Sequence, residues 1–197
     1  MKVLIASHNE HKIKELSRIL AACSVEAVTA EELGIELSEP DESGETFAAN
    51  ALIKAKTACE ESGVAAVADD SGLCVDALNG APGLYSARYA PVGSRKTTLL
   101  KNMGDLPHEQ RTARFVASIC CYLPNGDTVV AEGVCEGFIA FECRGDSGFG
   151  FDPIFELPCG KTFAELTSAE KDEVSHRGLA LKAFAARLND YVKSHEE

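Results

Sequence analysis

The alternation of short apolar runs with helically spaced apolar residues predicts an α/β fold. Residues 2–7 form an apolar run, and apolar residues from Ile13 to Cys23 then recur at helical spacing. Further apolar runs, read as strands, cover Val25 to Ala30 and Val64 to Ala68. A helix is predicted from Phe47 to about Ser62, because a glycine follows as a C-terminal stop. Strands that alternate with helices in this way are typical of an α/β fold.

The middle of the chain is predicted to hold one helix and a hairpin. The helix should cover residues 95–103. Arg111 to Leu123 and Asp127 to Glu136 are interpreted as paired strands around Asn125-Gly126, a strong hairpin turn signal. Phe138 to Cys143 is interpreted as a further strand.

The last part of the chain combines loops with two helices. Gly145 to Pro153 is a glycine-rich loop, and Thr167 to Glu170 resembles a capping box that should start a short helix. A final amphipathic helix is predicted from about Leu179. Since no repeat or long linker divides the chain, we expect one domain over residues 1–197.

Composition and charge narrow the class of protein. Hydrophobic residues make up 45% of the 197 residues and charged residues 25%, as in soluble globular proteins. No run approaches the ~20 apolar residues that span a bilayer, and the first apolar run is too short for a signal peptide. We therefore expect a cytoplasmic protein without membrane contact. The net charge of −12 argues against broad nucleic-acid binding but permits a small polyanion beside local cations, helix N-termini or a bound metal.

The cysteines are predicted to be reduced thiols in the core. No Cys-x-x-Cys pair, the usual spacing of zinc ligands, occurs in the sequence. Several cysteines lie in apolar runs, where they act as small hydrophobic residues in a reducing compartment. The eight stand at positions 23, 59, 74, 120, 121, 135, 143 and 159.

The segment from Ser7 to Lys12 has two interpretations. A loop that leads from a strand into a helix can point backbone N–H groups and the helix dipole at an anion. Lys12 and Lys14 in the first turn oppose that dipole, which is unfavourable unless an anion is nearby. The alternative is a solvated loop with surface lysines, since the segment lacks the glycines of a Walker loop.

Two adjacent carboxylates in the predicted turn from Ala68 to Gly72 suggest a metal site. Asp69 and Asp70 repel each other unless one is hydrogen-bonded inward and the other meets a cation. Mg²⁺ is typically held by one or two carboxylates together with waters and substrate phosphates. Asp41 or Glu42, on an earlier polar loop, could add an oxygen ligand. The alternative is a turn in which Asp69 caps backbone N–H groups and Asp70 is exposed.

Two later segments could recognise a base. In Gly148 to Pro153, glycines flank an aromatic residue and allow close approach of a flat ligand, while Asp152 could accept from a base N–H. The alternative is an ordinary Gly/Pro turn. The short helix is followed or ended by Lys171, His176 and Arg177. These side chains could recognise a carbonyl or phosphate oxygen of a ligand. The alternative is that they cap the C-terminus of the helix.

Taken together, six segments resemble the inosine triphosphate pyrophosphatase family, also called XTP/dITP diphosphatases. They occur in the family's order and extend over nearly the whole chain. The segments are residues 7–12, 43–51, 68–73, 80–89, 148–155 and 164–178.

The resemblance implies a fold, an activity and an assembly. The fold would be an elongated α/β structure with a central twisted mixed sheet flanked by helices, two lobes and a cleft between them. The activity would be Mg²⁺-dependent hydrolysis of ITP, dITP and XTP to the monophosphate and pyrophosphate, which cleanses the nucleotide pool. Family members are typically homodimers.

The resemblance also implies roles for individual residues. Asp70 would be the catalytic proton acceptor and a metal ligand, with Asp41 or Glu42 completing the metal site. The residues at the triphosphate would be Ser7, His8, Asn9, Glu10, His11 and Lys12, with Lys54 assisting and Ser71 also contacting the substrate. The residues at the base would be Phe149, Gly150, Phe151 and Asp152, joined by Lys171, His176 and Arg177. His176 or Arg177 would donate to the 6-oxo group of the purine.

The chain departs from the family pattern at two places. Ser7-His8-Asn9 stands where Thr-Gly-Asn is usual, and Ala49-Asn50-Ala51 stands where Glu-Asn-Ala is common. If that glutamate normally helps to bind metal, this chain relies more on Asp41 and Glu42.

Three alternatives remain beside this function. One is a pyrophosphatase for a pyrimidine or a standard nucleotide, and another is a nucleotide sensor without turnover, which the retained Asp70 and lysines disfavour. The third, a protein-interaction domain, has no supporting apolar or basic stripe.

Overall fold

The strands of the computed structural model, which describes residues 2–22 and 24–195, form one mixed sheet. They are β1 (Lys2–Ile5), β2 (Glu26–Val28), β3 (Ala66–Val75), β4 (Thr112–Tyr122), β5 (Thr128–Ile139) and β6 (Phe155–Glu156). The strand order is β2-β1-β3-β4-β5-β6. β1 runs parallel to β2 and β3, whereas β6 runs antiparallel to β5. The predicted α/β fold with a mixed sheet is confirmed.

The helices follow local capping chemistry. They are α1 (Glu10–Ala22), α2 (Ala30–Leu33), α3 (Phe47–Ser62), α4 (Arg95–Met103), α5 (Ser168–Val174) and α6 (His176–His195). α3 begins after Thr46, whose side chain accepts from the N–H of Ala49, and α5 has the predicted capping box of Thr167 and Glu170. None of these helices, which cover the described ranges only, is long and apolar enough to cross a membrane.

The chain divides into two compact units. The first comprises the described residues of Met1–Asp70, Ala117–Gly133 and Arg177–Glu197, and the second comprises Ser71–Val116 and Val134–His176. The expectation of one domain over residues 1–197 stays a prediction.

The core of the first unit consists of two apolar clusters that share β1. Val3 and Ile5 pack in one cluster with residues of α1 and α6, including Leu16 and Phe184. Leu4 belongs to the other cluster, which contains the small buried residues of α3. Because successive side chains of a strand point to opposite faces, β1 contributes to both clusters.

The core of the second unit is built around aromatic rings. Phe115 on β4 lies 4.8 Å, centroid to centroid, from Phe155 on β6 and 5.7 Å from Phe163. Leu73 of β3 and Leu99 of α4 belong to the same cluster.

Four sequence-based boundaries are wrong. The strand predicted to end at Ala68 continues as β3 to Val75, so the acidic residues lie within a strand rather than a turn. The strand predicted to reach Ala30 ends earlier, because Thr29 caps α2. The separate strand predicted over residues 138–143 is wrong: residues 138 and 139 belong to β5, and residues 140–143 lie outside the strands. α6 begins at His176 instead of Leu179.

The prediction of core thiols holds for part of the cysteines. Cys59, Cys120, Cys121 and Cys135 are buried, and burial raises the pKa of Cys120 and Cys135 to about 11 and that of Cys121 to about 12. Cys74 is half-buried. Cys143 and Cys159 are exposed, which contradicts the prediction, because both lie in surface loops outside the apolar runs. Cys23 lies outside the described residues.

Candidate functional site

The loop between β1 and α1 is ordered by its own side chains. Asn9 Oδ1 accepts from the backbone N–H of His11 at 3.0 Å and of Lys12 at 3.3 Å, so two donors of the first helical turn already have a partner. Ser7 Oγ accepts from the N–H of Asn9 at 3.2 Å. His8, which is exposed, donates from Nε2 to the carbonyl of Leu37 at 2.9 Å.

Other side chains of this loop differ in their surroundings. Glu10 and His11 are exposed, whereas Lys12 extends inward, with its Nζ 3.2 Å from Asp69 Oδ1. Lys12 therefore connects the predicted triphosphate loop to the acidic pair, defined here as Asp69 and Asp70.

The two members of the acidic pair meet different partners. Because they are consecutive in β3, their side chains point to opposite faces of the strand. Asp69 Oδ2 accepts from Arg177 Nε at 3.2 Å and Nη2 at 3.1 Å, while the other guanidinium nitrogen of Arg177 donates to Glu15. Lys12 completes the cationic surroundings of Asp69, and both aspartates are buried. Compensation by opposite charges explains how a strand can continue through two carboxylates.

The charges around Asp69 determine its protonation. Burial by itself would raise its pKa, but Lys12, Arg177 and Lys54 together hold the pKa of Asp69 well below its usual range. Burial and the neighbouring cations Arg177 and Lys54 lower the pKa of Lys12, against the effect of Asp69. Asp69 is thus an ionised carboxylate that neutralises buried cations.

Asp70 lies in a second, more acidic environment. Its Oδ1 accepts from Lys54 Nζ at 2.8 Å, and its Oδ2 accepts from Asn50 Nδ2 at 3.3 Å. Lys54 Nζ also lies 3.2 Å from Glu42 Oε1, so one ammonium group joins two carboxylates. Asp41, one residue earlier, is exposed. The structure therefore brings Glu42, rather than Asp41, to the same cation as Asp70.

Burial has the dominant effect on Asp70. It raises the pKa of Asp70 above the ordinary value, although Lys54 and Lys12 act in the opposite direction. Burial would lower the pKa of Lys54, but the charges of Asp69 and Asp70 raise it. A carboxyl group whose pKa is raised although lysines lie nearby is typical of functional sites, and it also occurs in structural ion-pair networks.

The donor atoms around Lys54 suit a hard cation that is completed by a substrate. Among residues 2–22 and 24–195, no three His, Cys, Asp or Glu side chains converge as a ready-made metal centre. Asp70 and Glu42 supply carboxylate oxygens close to one another, as their shared contact with Lys54 shows. Mg²⁺ binds in this manner, through one or two carboxylates with the remaining positions taken by water and phosphate oxygens.

In the second unit, Asp152 and Lys171 form a buried ion pair beside an aromatic ring. Asp152 Oδ2 accepts from Lys171 Nζ at 2.8 Å and from the backbone N–H of Phe149 at 2.8 Å. Lys171 Nζ also lies 5.1 Å from the centroid of the Phe149 ring. Gly148 is required here, because a Cβ at this position would lie 2.1 Å from Asp152 Oδ2. We call Phe149, Asp152 and Lys171 the aromatic–lysine group.

The remaining predicted residues of this unit have different surroundings. His176 stacks on Phe115 with the ring centroids 4.5 Å apart, and it is buried at the start of α6. Phe151 is buried against Tyr89, with the centroids 6.3 Å apart, and Ser71 is half-buried in β3. Gly150 has a φ of 61° and open space at its Cβ position.

His176 and Arg177 directly follow α5, the helix whose C-terminus they were considered to cap, and they open the next helix. Both residues begin α6 and do not end α5, so the dipole of their helix opposes a cation. Asp69 and Glu15 compensate the charge of Arg177 instead. The predicted contact of Arg177 with a base stays a prediction, and the structure places its guanidinium on these two carboxylates.

Two residues of the first unit were missed by sequence reasoning. Asn50 lies on the buried side of α3 and bonds to Asp70, and its signal was a polar residue between the apolar residues Ala49 and Ala51 of that helix. Glu15 bonds to Arg177 across a separation of 162 residues, and no local pattern marks it.

Comparisons with known proteins extend over nearly the whole chain. The Ham1 family matches residues 3–187. A dITP/XTP pyrophosphatase of Haemophilus influenzae is 45% identical over 95% of this chain and 98% of its own length. A dITP/XTP pyrophosphatase of Gluconobacter oxydans is 46% identical over 93% of this chain and 88% of its own.

Solved structures show the same relation. A HAM1 protein from Coxiella burnetii matches with a TM-score of 0.84 and 37% identity, over 96% of this chain and 99% of its own. The Ham1 protein of Staphylococcus aureus matches with a TM-score of 0.84 and 36% identity, over 97% of this chain and 100% of its own.

Proposed function

The chain belongs to the Ham1 family, and from this membership and the geometry around Asp70 we propose that it hydrolyses non-standard purine nucleoside triphosphates. Its substrates are ITP, dITP and XTP, and its products are the nucleoside monophosphate and pyrophosphate. The reaction removes deaminated purine nucleotides from the nucleotide pool. The single observation that carries the proposal is a buried carboxylate, Asp70, with a raised pKa and a lysine at 2.8 Å.

The triphosphate is bound by local cations in a chain of net charge −12. Lys12 and Lys54 are both held by aspartates of β3, which fixes their ammonium groups before a substrate arrives. Preorganised cations are what phosphoryl-transfer chemistry needs, since catalysis there consists mostly of positioning and charge neutralisation. The loop from Ser7 to His11 contributes polar groups beside Lys12.

Mg²⁺ is the proposed cofactor, with Asp70 and Glu42 as its protein ligands. Glu42 is preferred to the exposed Asp41 because Glu42 contacts the same lysine as Asp70. When bound, the ion neutralises charge on the phosphate oxygens and positions them. Lys54 contacts both carboxylates, so it balances their charge and reduces their mutual repulsion.

Asp70 is the proposed general base. It accepts a proton from water, whose oxygen forms a bond to the α-phosphorus while the bond from that phosphorus to the bridging oxygen breaks. Pyrophosphate leaves with the bonding electron pair. A carboxyl pKa above its ordinary value makes Asp70 a stronger base than a solvent-exposed aspartate.

The aromatic–lysine group is the proposed base site. The ring of Phe149 offers a flat apolar face, and Lys171, fixed by Asp152, offers a donor for the 6-oxo group of hypoxanthine or xanthine. His176 lies in the same unit as a further donor. An adenine amino group would leave such buried donors unpaired, which can discriminate by roughly 10⁴–10⁵-fold.

Assembly and location are further parts of the proposal. We expect a homodimer in the cytoplasm, where the nucleotide pool lies. The seven described cysteines are free thiols, as suits a reducing compartment. Analytical ultracentrifugation at micromolar protein tests the dimer, and a sedimentation mass of one chain would contradict it.

The test of the function is pyrophosphate release from a nucleotide panel with Mg²⁺. We expect turnover of ITP, dITP and XTP, and much slower turnover of ATP, dTTP and UTP. Asp70→Asn should lower kcat by about 10²–10⁴-fold, the contribution of a general base. Near-normal turnover by Asp70→Asn would show that another group removes the proton. If ITP raised the melting temperature without any pyrophosphate release, the chain would be a sensor.

A further inference from the structure

Asn50 is a buried amide whose two ends contact different parts of the first unit. It is 2% exposed and lies on α3. Its Oδ1 accepts from the backbone N–H of Gly44 at 2.8 Å, and its Nδ2 donates to Asp70 Oδ2 at 3.3 Å. A buried amide without partners would be costly, so the two bonds stabilise each other's geometry.

The approach of Gly44 to this amide depends on the absence of a side chain. A Cβ on Gly44 would lie 2.6 Å from Asn50 Oδ1 and 2.7 Å from the Cβ of Ala49. The backbone of Gly44 is outside the left-handed region, so another residue could adopt its conformation. Glycine is needed at this position because there is no space for a side chain. The loop that carries Glu42 therefore reaches α3 through a contact that only glycine permits.

Asn50 and Lys54 act on Asp70 from one side of α3. They are four residues apart, so they project from the same face of the helix. Lys54 contacts Asp70 Oδ1, whereas Asn50 contacts Asp70 Oδ2. The same two side chains contact the preceding loop, at Glu42 and Gly44. One turn of helix thus determines the orientation of the Asp70 carboxylate and its separation from Glu42.

We propose that Asn50 is a positioning residue, which orients the Asp70 carboxylate and holds the Glu42 loop at the distance needed for the pair to share a cation. This inference rests on the proposed function. An amide suits the role because it supplies an NH₂ group that donates and a carbonyl oxygen that accepts, without adding a third negative charge. Loss of such an outer hydrogen-bond partner typically costs about 10- to 100-fold in activity or metal affinity.

The experiment compares three variants with the wild-type protein. Asn50→Ala removes both hydrogen bonds, and Gly44→Ala keeps every polar group but forces the loop away from the amide. Cys59→Ala is the matched control, because Cys59 is also buried on α3 and packs in the apolar cluster instead of contacting Asp70. Measured are kcat and KM for ITP, the Mg²⁺ concentration at half-maximal activity, the melting temperature, and deuterium exchange of residues 40–46.

A positioning role predicts a specific pattern. Asn50→Ala should lower kcat by about 10- to 100-fold and raise the half-activating Mg²⁺ concentration several-fold. KM for ITP should change little, and residues 40–46 should exchange faster. Gly44→Ala should change the same quantities in the same direction, whereas Cys59→Ala should change only the melting temperature. A purely structural role would reduce the active fraction without moving the Mg²⁺ dependence.

The inference and the proposed function fail in different ways. If the wild-type protein hydrolyses ITP while Asn50→Ala stays within twofold of Cys59→Ala in kcat and in Mg²⁺ dependence, Asn50 does not position Asp70. If the wild-type protein releases no pyrophosphate from any purine triphosphate, the function itself is wrong. In that case, unchanged deuterium exchange of residues 40–46 in Asn50→Ala would also show that Asn50 does not hold the Glu42 loop in place.

Discussion

Replacing Asp69 with asparagine should destabilise the protein while leaving its shape nearly unchanged. The Asp69 carboxylate is 3% exposed and lies 3.2 Å from Lys12 Nζ and 3.1 Å from Arg177 Nη2. Asparagine has the same size but no charge, so two buried cations lose their shared counter-ion. Breaking a buried ion pair by removal of one partner costs about 3–5 kcal/mol.

The neighbours of Asp69 place the expected loss at the lower end of this range. Arg177 keeps its bond to Glu15, and the pKa of Lys12 is already lowered, which makes loss of its proton easier. We therefore expect a decrease of about 3 kcal/mol in the free energy of unfolding. For a chain of this size, each kcal/mol corresponds to about 2–4 °C in melting temperature, so Tm should fall by about 6–12 °C.

The assay is thermal and urea unfolding followed by circular dichroism at pH 7. Asp105→Asn is the matched control, because Asp105 is exposed and the substitution makes the same chemical change. A shift in Tm of less than about 2 °C for Asp69→Asn, similar to the control, would refute the view that this carboxylate stabilises two buried cations.

The stabilisation by Asp69 should depend on pH in a direction that follows from its pKa. The pKa of Asp69 is depressed in the folded protein, so its stabilisation is fully present above the unfolded-state pKa of about 3.9. It is lost as the pH falls below that value towards the folded-state pKa. The difference in urea midpoint between wild type and Asp69→Asn should stay constant from about pH 7 to pH 5 and shrink below about pH 4. A difference that grows with acidity would contradict the assignment.

Three further predictions concern activity. Lys54→Met should reduce kcat/KM for ITP by about 10²–10³-fold, because the ammonium group at 2.8 Å from Asp70 no longer contributes to charge neutralisation. A change of less than about threefold in steady-state kinetics would contradict this role. Gly148→Ala should impair ITP hydrolysis more than Gly150→Ala does. Both substitutions meet a positive φ, but only the first pushes on the Asp152 carboxylate, so equal kinetic effects would refute the argument. Removal of divalent ions with EDTA should abolish pyrophosphate release and added Mg²⁺ should restore it; full activity in EDTA would exclude the proposed cofactor.

Helices and strands whose ends are set by a capping residue, a glycine or a tight turn could be predicted from the sequence. α3 begins after a threonine cap, α3 and α4 both end at a glycine, and the β4–β5 hairpin follows from Asn125-Gly126. In each case the interactions that decide the structure lie within a few residues of one another. Sequence patterns are informative at that range.

The continuation of β3 through the acidic pair depends on distant residues. Two adjacent aspartates predict a turn because their desolvation is unfavourable by local criteria. Lys12 lies 57 positions from Asp69, and Arg177 lies 108 residues away, so no window of sequence contains the compensating charges. The same reason explains why the partners of Arg177 could not be predicted. The family resemblance supplied the candidate residues but not their contacts.

The acidic pair shows how one strand can serve stability and chemistry at adjacent positions. Asp69 has a depressed pKa because cations surround it, so its ionised form stabilises the fold. Asp70 has a raised pKa because burial outweighs Lys54, so its ionised form is unfavourable and has a greater tendency to take up a proton or bind a cation. The alternation of side chains along β3 gives the two carboxylates different hydrogen-bond partners although their backbones are consecutive. α3 supports Asp70 from one side with Asn50 and Lys54, which is the arrangement that a base needs if it is to remain buried and correctly oriented before a substrate binds.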